Sequence, residues 1–206
     1  MQVEDRNYYL SNADERGWTK ANLDGLGSRF LCYGTKVEKI KIDNKFEYIK
    51  ILDGPFRDFF AKIPFKKVDS KISFLRKLPE DYKENPVKIF YYSDKEQVDI
   101  EGLGLFKTAK SSVSLFKGTY FLEIPSYPHK KTPISYLKEE QGGSKFAETW
   151  FRVVPLKNSN SDIFFHFGKL SEGCITINQP NSWNIIYYHL IRRRFNRLNV
   201  GEIEVR

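Results

Sequence analysis

The chain has 206 residues, of which 40% are hydrophobic; this excludes wholesale disorder and suffices for one large or two small domains. Lys plus Arg number 34 against 26 for Asp plus Glu, and this basic balance favours polyanionic partners such as the acidic polymers of a cell envelope. The charges are scattered and no nucleic-acid-binding motif accompanies them, so we expect no nucleic-acid partner.

Residue types and apolar stretches indicate the class of protein. The chain contains 12 Tyr and 17 Phe, and because aromatic residues favour strands we predict a mainly β protein. No apolar stretch approaches membrane-spanning length, so we expect no membrane span. Residues 1–18 lack the apolar core of a secretory signal, so no signal peptide is visible in this chain.

The first 68 residues divide into two parts. Residues 1–26 are polar and rich in turn-forming residues, and we predict an irregular leader there. In residues 27–68, short apolar alternations predict three strands. These strands contain Val37, Ile40 and Ile42, then Phe46, Tyr48, Ile49 and Ile51, then residues 59–63, with a tight turn at Asp53-Gly54-Pro55 before the third.

Residues 27–68 resemble a bacterial SH3-like domain. The resemblance rests on the spacing of Gly34-Thr-Lys-Val37, Phe46-Glu-Tyr48-Ile-Lys50 and Phe60-Ala-Lys-Ile63-Pro64. It implies a small β-barrel, which either binds cell-wall peptides or has a purely structural role.

The rest of the chain is predicted to be a connector, residues 69–85, and a second domain, residues 86–206. Alternation predicts strands at 87–92, 118–124, 149–154, 162–167, 174–177 and 202–205. One helix, capped by Asn181 or Ser182, is predicted from an apolar stripe of Trp183, Tyr187, Ile191, Phe195 and Leu198, which Gly201 ends. The run Arg192-Arg193-Arg194, with Arg197, is typical of a solvated helix face.

Only two cysteines are present, Cys32 and Cys174, and this number does not describe a disulfide framework. One alternative is a single disulfide bond between them. In the other, one of the two cysteines is a catalytic nucleophile.

Residues 162–178 place a histidine near one of these cysteines. Interpreted as a β-hairpin, the stretch turns its isoleucines to one face and places His166 and Cys174 together on the other. An imidazole beside a thiol raises the thiolate fraction or accepts the proton during attack, so the pair suits nucleophilic catalysis. In the alternative interpretation, Cys174 is a small apolar filler and His166 a structural strand residue.

The same stretch carries a resemblance to a known enzyme family. His166-Phe-Gly168 followed by Ser171-Glu-Gly173-Cys174-Ile resembles the signature of YkuD-type L,D-transpeptidases, and more closely a shortened Ser-Glu-Gly-Cys variant of antibacterial effectors and phage-associated relatives. Gly118-Thr-Tyr120 with Pro125 and Pro128, and the helix beginning at Trp183, also resemble the family. The resemblance covers residues 86–206 and implies an L,D-transpeptidase-like β-sandwich domain with one C-terminal helix.

Residue roles follow from this resemblance. It implies that Cys174 forms a thioester with a peptidoglycan stem peptide, that His166 is its base, and that Ser171, Gly173 and Gly168 shape the substrate and oxyanion pocket. Arg152 is either an exposed charge on a core strand or a group that meets a substrate carboxylate. Neither a metal nor an organic cofactor is expected.

Three departures from the family pattern affect what is expected of the enzyme. Glu172 replaces the usual histidine before Gly-Cys, Thr176 replaces the usual arginine or asparagine, and the interval from His166 to Cys174 is shorter. These departures leave the thiol and the imidazole in place. They do not determine whether the enzyme cross-links stem peptides or which group accepts the acyl chain.

We therefore expect an L,D-transpeptidase or L,D-carboxypeptidase that acts on stem peptides in the periplasm or cell envelope. The alternatives are an interbacterial toxin with the same chemistry, which would need an immunity protein, and a non-catalytic cell-wall binding protein with this fold.

Overall fold

The computed structural model describes residues 7–11, 13–14, 16–64, 66–68, 70–78, 82–113, 115–129, 132–138, 143–156 and 162–206. The strands are β1 (Asn7–Leu10), β2 (Trp18–Leu23), β3 (Gly27–Cys32), β4 (Lys36–Ile42), β5 (Phe46–Ile51), β6 (Phe60–Pro64), β7 (Lys66–Val68), β8 (Ser70–Ile72), β9 (Leu75–Lys77), β10 (Val87–Tyr92), β11 (Gln97–Ile100), β12 (Gly104–Lys107), β13 (Gly118–Glu123), β14 (Phe151–Pro155), β15 (Phe164–Phe167), β16 (Ile175–Ile177) and β17 (Asn199–Val205). One α-helix, α1, spans Pro180–Ile191, and a 3-10 helix spans Ile134–Tyr136. Among these residues no helix is both long and apolar enough to cross a membrane.

The strands form two large sheets, and the prediction of a mainly β protein is confirmed. The first is seven-stranded, in the order β3-β2-β6-β5-β4-β1-β9, with antiparallel neighbours. The second is eight-stranded, in the order β12-β11-β10-β17-β13-β14-β15-β16. Its β10–β17 and β15–β16 pairs are parallel, and the other pairs are antiparallel. The short strands β7 and β8 pair separately.

The predicted strands of the first sheet are present, but one has a different buried face. Val37 in β4 is fully buried, whereas Ile40 and Ile42 are 42% and 44% exposed. The β4–β5 register shifts between Lys39 and Lys41. A period of two already places Ile40 and Ile42, three and five residues after Val37, on the face opposite Val37, so the exposure of both isoleucines follows from strand alternation and does not need the register shift.

The first sheet uses more of the chain than its sequence pattern indicated. The prediction of an irregular leader in residues 1–26 was wrong for β1 and β2, which pair with β4 and β9 and with β3 and β6. The connector predicted at 69–85 contains β8 and β9. The strands β1 and β9 pair with each other although they are far apart in sequence, which a local pattern does not reveal, whereas β2 and β8 pair with their sequence neighbours β3 and β7.

The end of the chain also differs from the prediction. The helix ends at Ile191, so Phe195 and Leu198 lie beyond it. Gly201 lies inside β17 rather than ending a helical pattern. A Cβ atom there would collide with the carbonyl oxygen of Val87 on β10, so the close approach of the two strands requires glycine.

The two sheets are joined by a shared core and a buried ion pair. Trp18, Cys32 and Tyr33 of the first sheet belong to the hydrophobic cluster around α1. Nε of Arg194 lies 2.7 Å from Oδ2 of Asp53, in the turn that follows β5 of the first sheet, and both side chains are almost inaccessible. The prediction of a solvated arginine face is therefore wrong for Arg194, whose buried side chain links the two sheets through its ion pair with Asp53.

Candidate active site

The candidate site lies on one face of β14, β15 and β16, at the end of the second sheet. Side chains on the opposite face are buried against α1. They are Phe151, Val153, Phe165, Phe167, Ile175 and Ile177. Register places Arg152 beside Phe164 and His166 beside Thr176, and alternation adds Trp150 and Cys174 to the same face. His166 and Cys174 thus share a face, as predicted.

The predicted hairpin, however, is wrong because β15 and β16 are parallel. The connection between them has seven residues, 168–174. Such a stretch reaches roughly 23 Å when extended, more than the roughly 13 Å needed to return along a four-residue strand. Alternation identifies the face of each side chain but not the direction of the strand, and either direction buries Ile175 and Ile177.

Cys174 lies immediately before β16 and is partly buried. Burial raises the pKa of Cys174 above its ordinary value, and the charge of Glu172 acts in the same direction. One residue before the first β15–β16 pair, Cys174 lies beside Phe164, whose backbone N–H interacts with the thiol and lowers the pKa by less. The resting thiol is therefore protonated at neutral pH.

The turn before Cys174 is fixed by two serines. The Gly173 amide donates to Oγ of Ser111 at 3.2 Å, and the Ser171 hydroxyl donates to the Cys174 carbonyl oxygen. Gly173 has a φ of 102°, which favours glycine. The Gly173 N–H, which was predicted as an oxyanion donor, is therefore directed at Ser111.

His166 is buried and both of its ring nitrogens have partners. Nδ1 lies 2.9 Å from the carbonyl oxygen of Phe167, and Nε2 lies 3.1 Å from Oγ1 of Thr176. Burial lowers the pKa of His166 to about 4, against a smaller opposing effect of the Phe167 carbonyl. The imidazole is therefore neutral at pH 7. Within the described part of the chain, no hydrogen bond joins it to the thiol of Cys174.

An aromatic stack covers His166. The Trp150 ring stacks on it with centroids 3.9 Å apart, and His129 stacks on Trp150 at 4.0 Å. Tyr127 continues the stack at 4.6 Å from His129. Burial, followed by the charge of His166, lowers the pKa of His129 to about 4. The stack shields the imidazole from water and so accounts for its depressed pKa.

The remaining predicted pocket residues have different surroundings. Arg152 lies on the candidate face but faces Glu123, with Nη1 3.8 Å from Oε2 of that residue. A Cβ on Gly168 would lie 3.1 Å from Cγ2 of Thr176 and 3.5 Å from the ring of His166, so this glycine leaves room for both side chains.

Sequence reasoning missed Thr176, Trp150 and Ser111 as parts of this site. The period of two placed Thr176 on the face of Cys174, and that signal could have identified it. Trp150 and Ser111 come from distant segments and carried no local signal. Among the described residues no group of three or more His, Cys, Asp or Glu side chains could hold a metal ion.

Comparisons with known proteins give one structural similarity. No family model matches the sequence, and no curated protein matches it. An L,D-transpeptidase crystal structure from Mycobacterium tuberculosis H37Rv is similar over 79% of this chain and 76% of that chain, with 9% identity and a TM-score of 0.34. The function of the site must therefore be inferred from its own residues.

Proposed function

We propose that the protein is a cysteine-dependent L,D-transpeptidase or L,D-carboxypeptidase that acts on the stem peptides of peptidoglycan. The observation that carries this proposal is the location of Cys174 and His166 on one face of adjacent strands, in the segment that resembles the family signature. A thiol and a neutral imidazole on one face are the groups that acyl transfer through a thioester requires.

In the proposed reaction the sulfur of Cys174 attacks the carbonyl between the third and fourth stem residues. A C–S bond forms, the C–N bond breaks, and the terminal D-amino acid leaves with the proton that His166 has accepted. Water or an amine then resolves the thioester. The N–H of Phe164 stabilises the developing thiolate, because it already interacts with the sulfur.

We also propose the division into modules that the sequence predicts. The first sheet supports an SH3-like module within residues 27–68, although its strands extend from Asn7 to Lys77. The second sheet, from Val87 to Val205, carries the candidate site. Gly168, Ser171 and Gly173 shape the pocket, and Arg152 meets a substrate carboxylate once it is released from Glu123.

The resemblance to the Ser-Glu-Gly-Cys variant supports an interbacterial toxin as one setting for this chemistry. Its site of action would be the periplasm or cell envelope, and its producer would need an immunity protein. The chemistry at Cys174 would be unchanged, so toxicity after periplasmic expression separates this setting from a housekeeping enzyme.

One observation favours a second candidate, a non-catalytic cell-wall binding protein. Both nitrogens of His166 are engaged by other groups, and the pKa of the Cys174 thiol is raised. A protein of this kind would bind stem peptides and release no product.

Incubation of the protein with purified tetrapeptide muropeptides, followed by mass spectrometry, separates the two candidates. We expect loss of the terminal D-amino acid, or its exchange, with the native chain and with Cys32→Ala. We expect no mass change with Cys174→Ala. Binding of muropeptides by all three proteins without any mass change would overturn the enzymatic proposal in favour of the binding protein.

A further inference from the structure

Among the described residues, no hydrogen bond joins the nucleophile of the candidate site to its base. Register pairs Thr176 with His166, and one step back along both strands Cys174 lies beside Phe164, so the thiol and the imidazole are diagonal neighbours. Diagonal side chains on adjacent strands are typically about 7–8 Å apart, a separation that aromatic and long side chains can span. Whether the proton of the thiol reaches the imidazole directly or through another group therefore depends on what the basic nitrogen of His166 contacts.

The contacts of His166 decide which nitrogen is the base. The Phe167 carbonyl oxygen can only accept a hydrogen bond, so Nδ1 of His166 carries the ring proton. Nε2 then has the free lone pair, and the Thr176 hydroxyl donates to it at 3.1 Å. The basic atom of His166 is therefore already in contact with a hydroxyl group that can both donate and accept.

Thr176 is held firmly in this position. Its side chain is fully buried, and its backbone carbonyl accepts a hydrogen bond from the Ala109 amide at 2.8 Å. Gly168 leaves space for the methyl group of Thr176. Since Thr176 follows Cys174 by two residues in one extended segment, both side chains project from one face with their Cα atoms about 6.6 Å apart. The χ1 rotamer of Cys174 that points along the strand brings Sγ closer to the hydroxyl.

We propose that the Thr176 hydroxyl relays the proton from the Cys174 thiol to Nε2 of His166. As sulfur attacks a carbonyl, the S–H bond breaks and its proton joins Oγ1 of Thr176. The original hydroxyl proton moves from Oγ1 to Nε2, and the C–S bond forms. The products are the acylated cysteine, a neutral threonine and an imidazolium that later protonates the leaving group.

This inference deepens the proposed function and rests on it, but an activated ester tests it without a peptide substrate. p-Nitrophenyl acetate acylates a thiol and releases p-nitrophenolate, whose absorbance gives the rate, and mass spectrometry of the protein locates the acetyl group. The variants to compare are Thr176→Ser, which keeps the hydroxyl, and Thr176→Val, which keeps the shape but not the hydroxyl. The Cys32→Ala background leaves Cys174 as the single thiol of the chain, and mass spectrometry separates its acetylation from that of lysine amines.

We expect Thr176→Ser to acylate within about threefold of the native rate and Thr176→Val to lose at least about tenfold, because general-base assistance typically contributes ~10²–10⁴-fold. The pH profile distinguishes a relay from mere packing. With the relay, the rate is flat from about pH 5 to 8, because neutral His166 removes the proton. Without it, the rate follows the thiolate fraction and rises about tenfold per pH unit.

A double variant provides the decisive comparison. If Thr176 and His166 act as one unit, Thr176→Val combined with His166→Gln loses no more than His166→Gln alone, whereas independent roles give multiplied losses. A flat pH profile in Thr176→Val, or multiplied losses, would overturn the relay. A relay signature in the ester assay without turnover of muropeptides would leave the relay standing and refute the proposed function instead.

Discussion

Each sheet contains one cysteine, and the two have different surroundings. Cys32 ends β3, is 1% exposed, and lies with Trp18 and Tyr33 in the cluster around α1. Burial, partly offset by a hydrogen bond with Thr35, raises its pKa to about 11. Cys174 is partly buried, precedes its strand, and has the Phe164 amide beside it. The same side chain is thus a buried packing group beside one sheet and partly accessible beside the other, and such surroundings decide the reactivity of a thiol.

The largest expected effect comes from removing each thiol in turn. Cys174→Ala should reduce release of the terminal D-amino acid below detection, because no other group replaces the nucleophile. Cys32→Ala should keep the native turnover and lose roughly 1 kcal/mol of unfolding free energy, since it removes one buried apolar atom. Mass spectrometry of muropeptides and urea unfolding measure the two effects. Equal turnover in both variants would remove the distinction between the cysteines.

His166→Ala should lower turnover by ~10²–10⁴-fold, because general-base catalysis contributes that much. The pH dependence has a defined sign, because an imidazole accepts a proton only when it is neutral and the pKa of His166 is about 4. Turnover by the native chain should therefore persist from neutral pH down to about pH 5 and fall as pH drops through 4. His129→Ala is the matched control. The pKa of His129 is also about 4, but its ring stacks on Trp150 and it lies outside β15 and β16. An equal loss in the control would move the base to His129.

The junction between the two sheets can be tested through its arginines. Arg194→Met should lower the unfolding free energy by about 3–5 kcal/mol, because Asp53 would remain buried without its partner. Arg197→Met is the matched control, as its pair with Asp58 is exposed to solvent and should contribute much less to the unfolding free energy. Urea unfolding of both variants gives the comparison. Equal losses would mean that Arg194 does not hold the sheets together.

Acid should destabilise the second sheet through its buried histidine. The folded pKa of His166, about 4, lies below its ordinary value of 6.5, so the unfolded chain binds the proton more readily. The stabilisation is present above pH 6.5 and is lost as pH falls toward 4, a change on the order of 3 kcal/mol. Unfolding curves of the native chain and of His166→Gln at several pH values test this. Parallel pH slopes in the two proteins would exclude His166 as the cause.

The smallest effect is expected at Glu172, which is exposed and lies between Ser171 and Gly173. Its charge raises the pKa of Cys174, so Glu172→Gln favours the thiolate and removes no proton-transfer group. Turnover should stay within about tenfold of the native value, a difference of at most about 1.4 kcal/mol. Hydrolysis of one tetrapeptide by this variant and by His166→Ala gives the measurement. If both lose activity equally, the carboxylate belongs to the catalytic apparatus.

Several features of the fold were predictable because they depend on neighbours along the chain. The strand containing Phe46 and Ile51 was found from its alternation, and the helix from the spacing of Trp183 and Tyr187. The strands β1 and β2 were not found: β1 pairs with the distant β4 and β9, and the polar residues and turn formers around β2 hid its buried Trp18, Ala21 and Leu23. Short edge strands such as β9 depend on pairing rather than on composition.

The sequence by itself determined which residues share the face of the candidate site. A strand has a period of two in either direction, so His166 and Cys174 were placed together although the hairpin was wrong. Only the tertiary structure decided the parallel pairing, and with it the location of Thr176 beside Nε2 of His166. It also decided that Trp150 covers the imidazole and that Arg194 is buried. The physical reason is that pairing direction, stacking and burial depend on segments far apart in the chain, whereas alternation depends on adjacent residues alone.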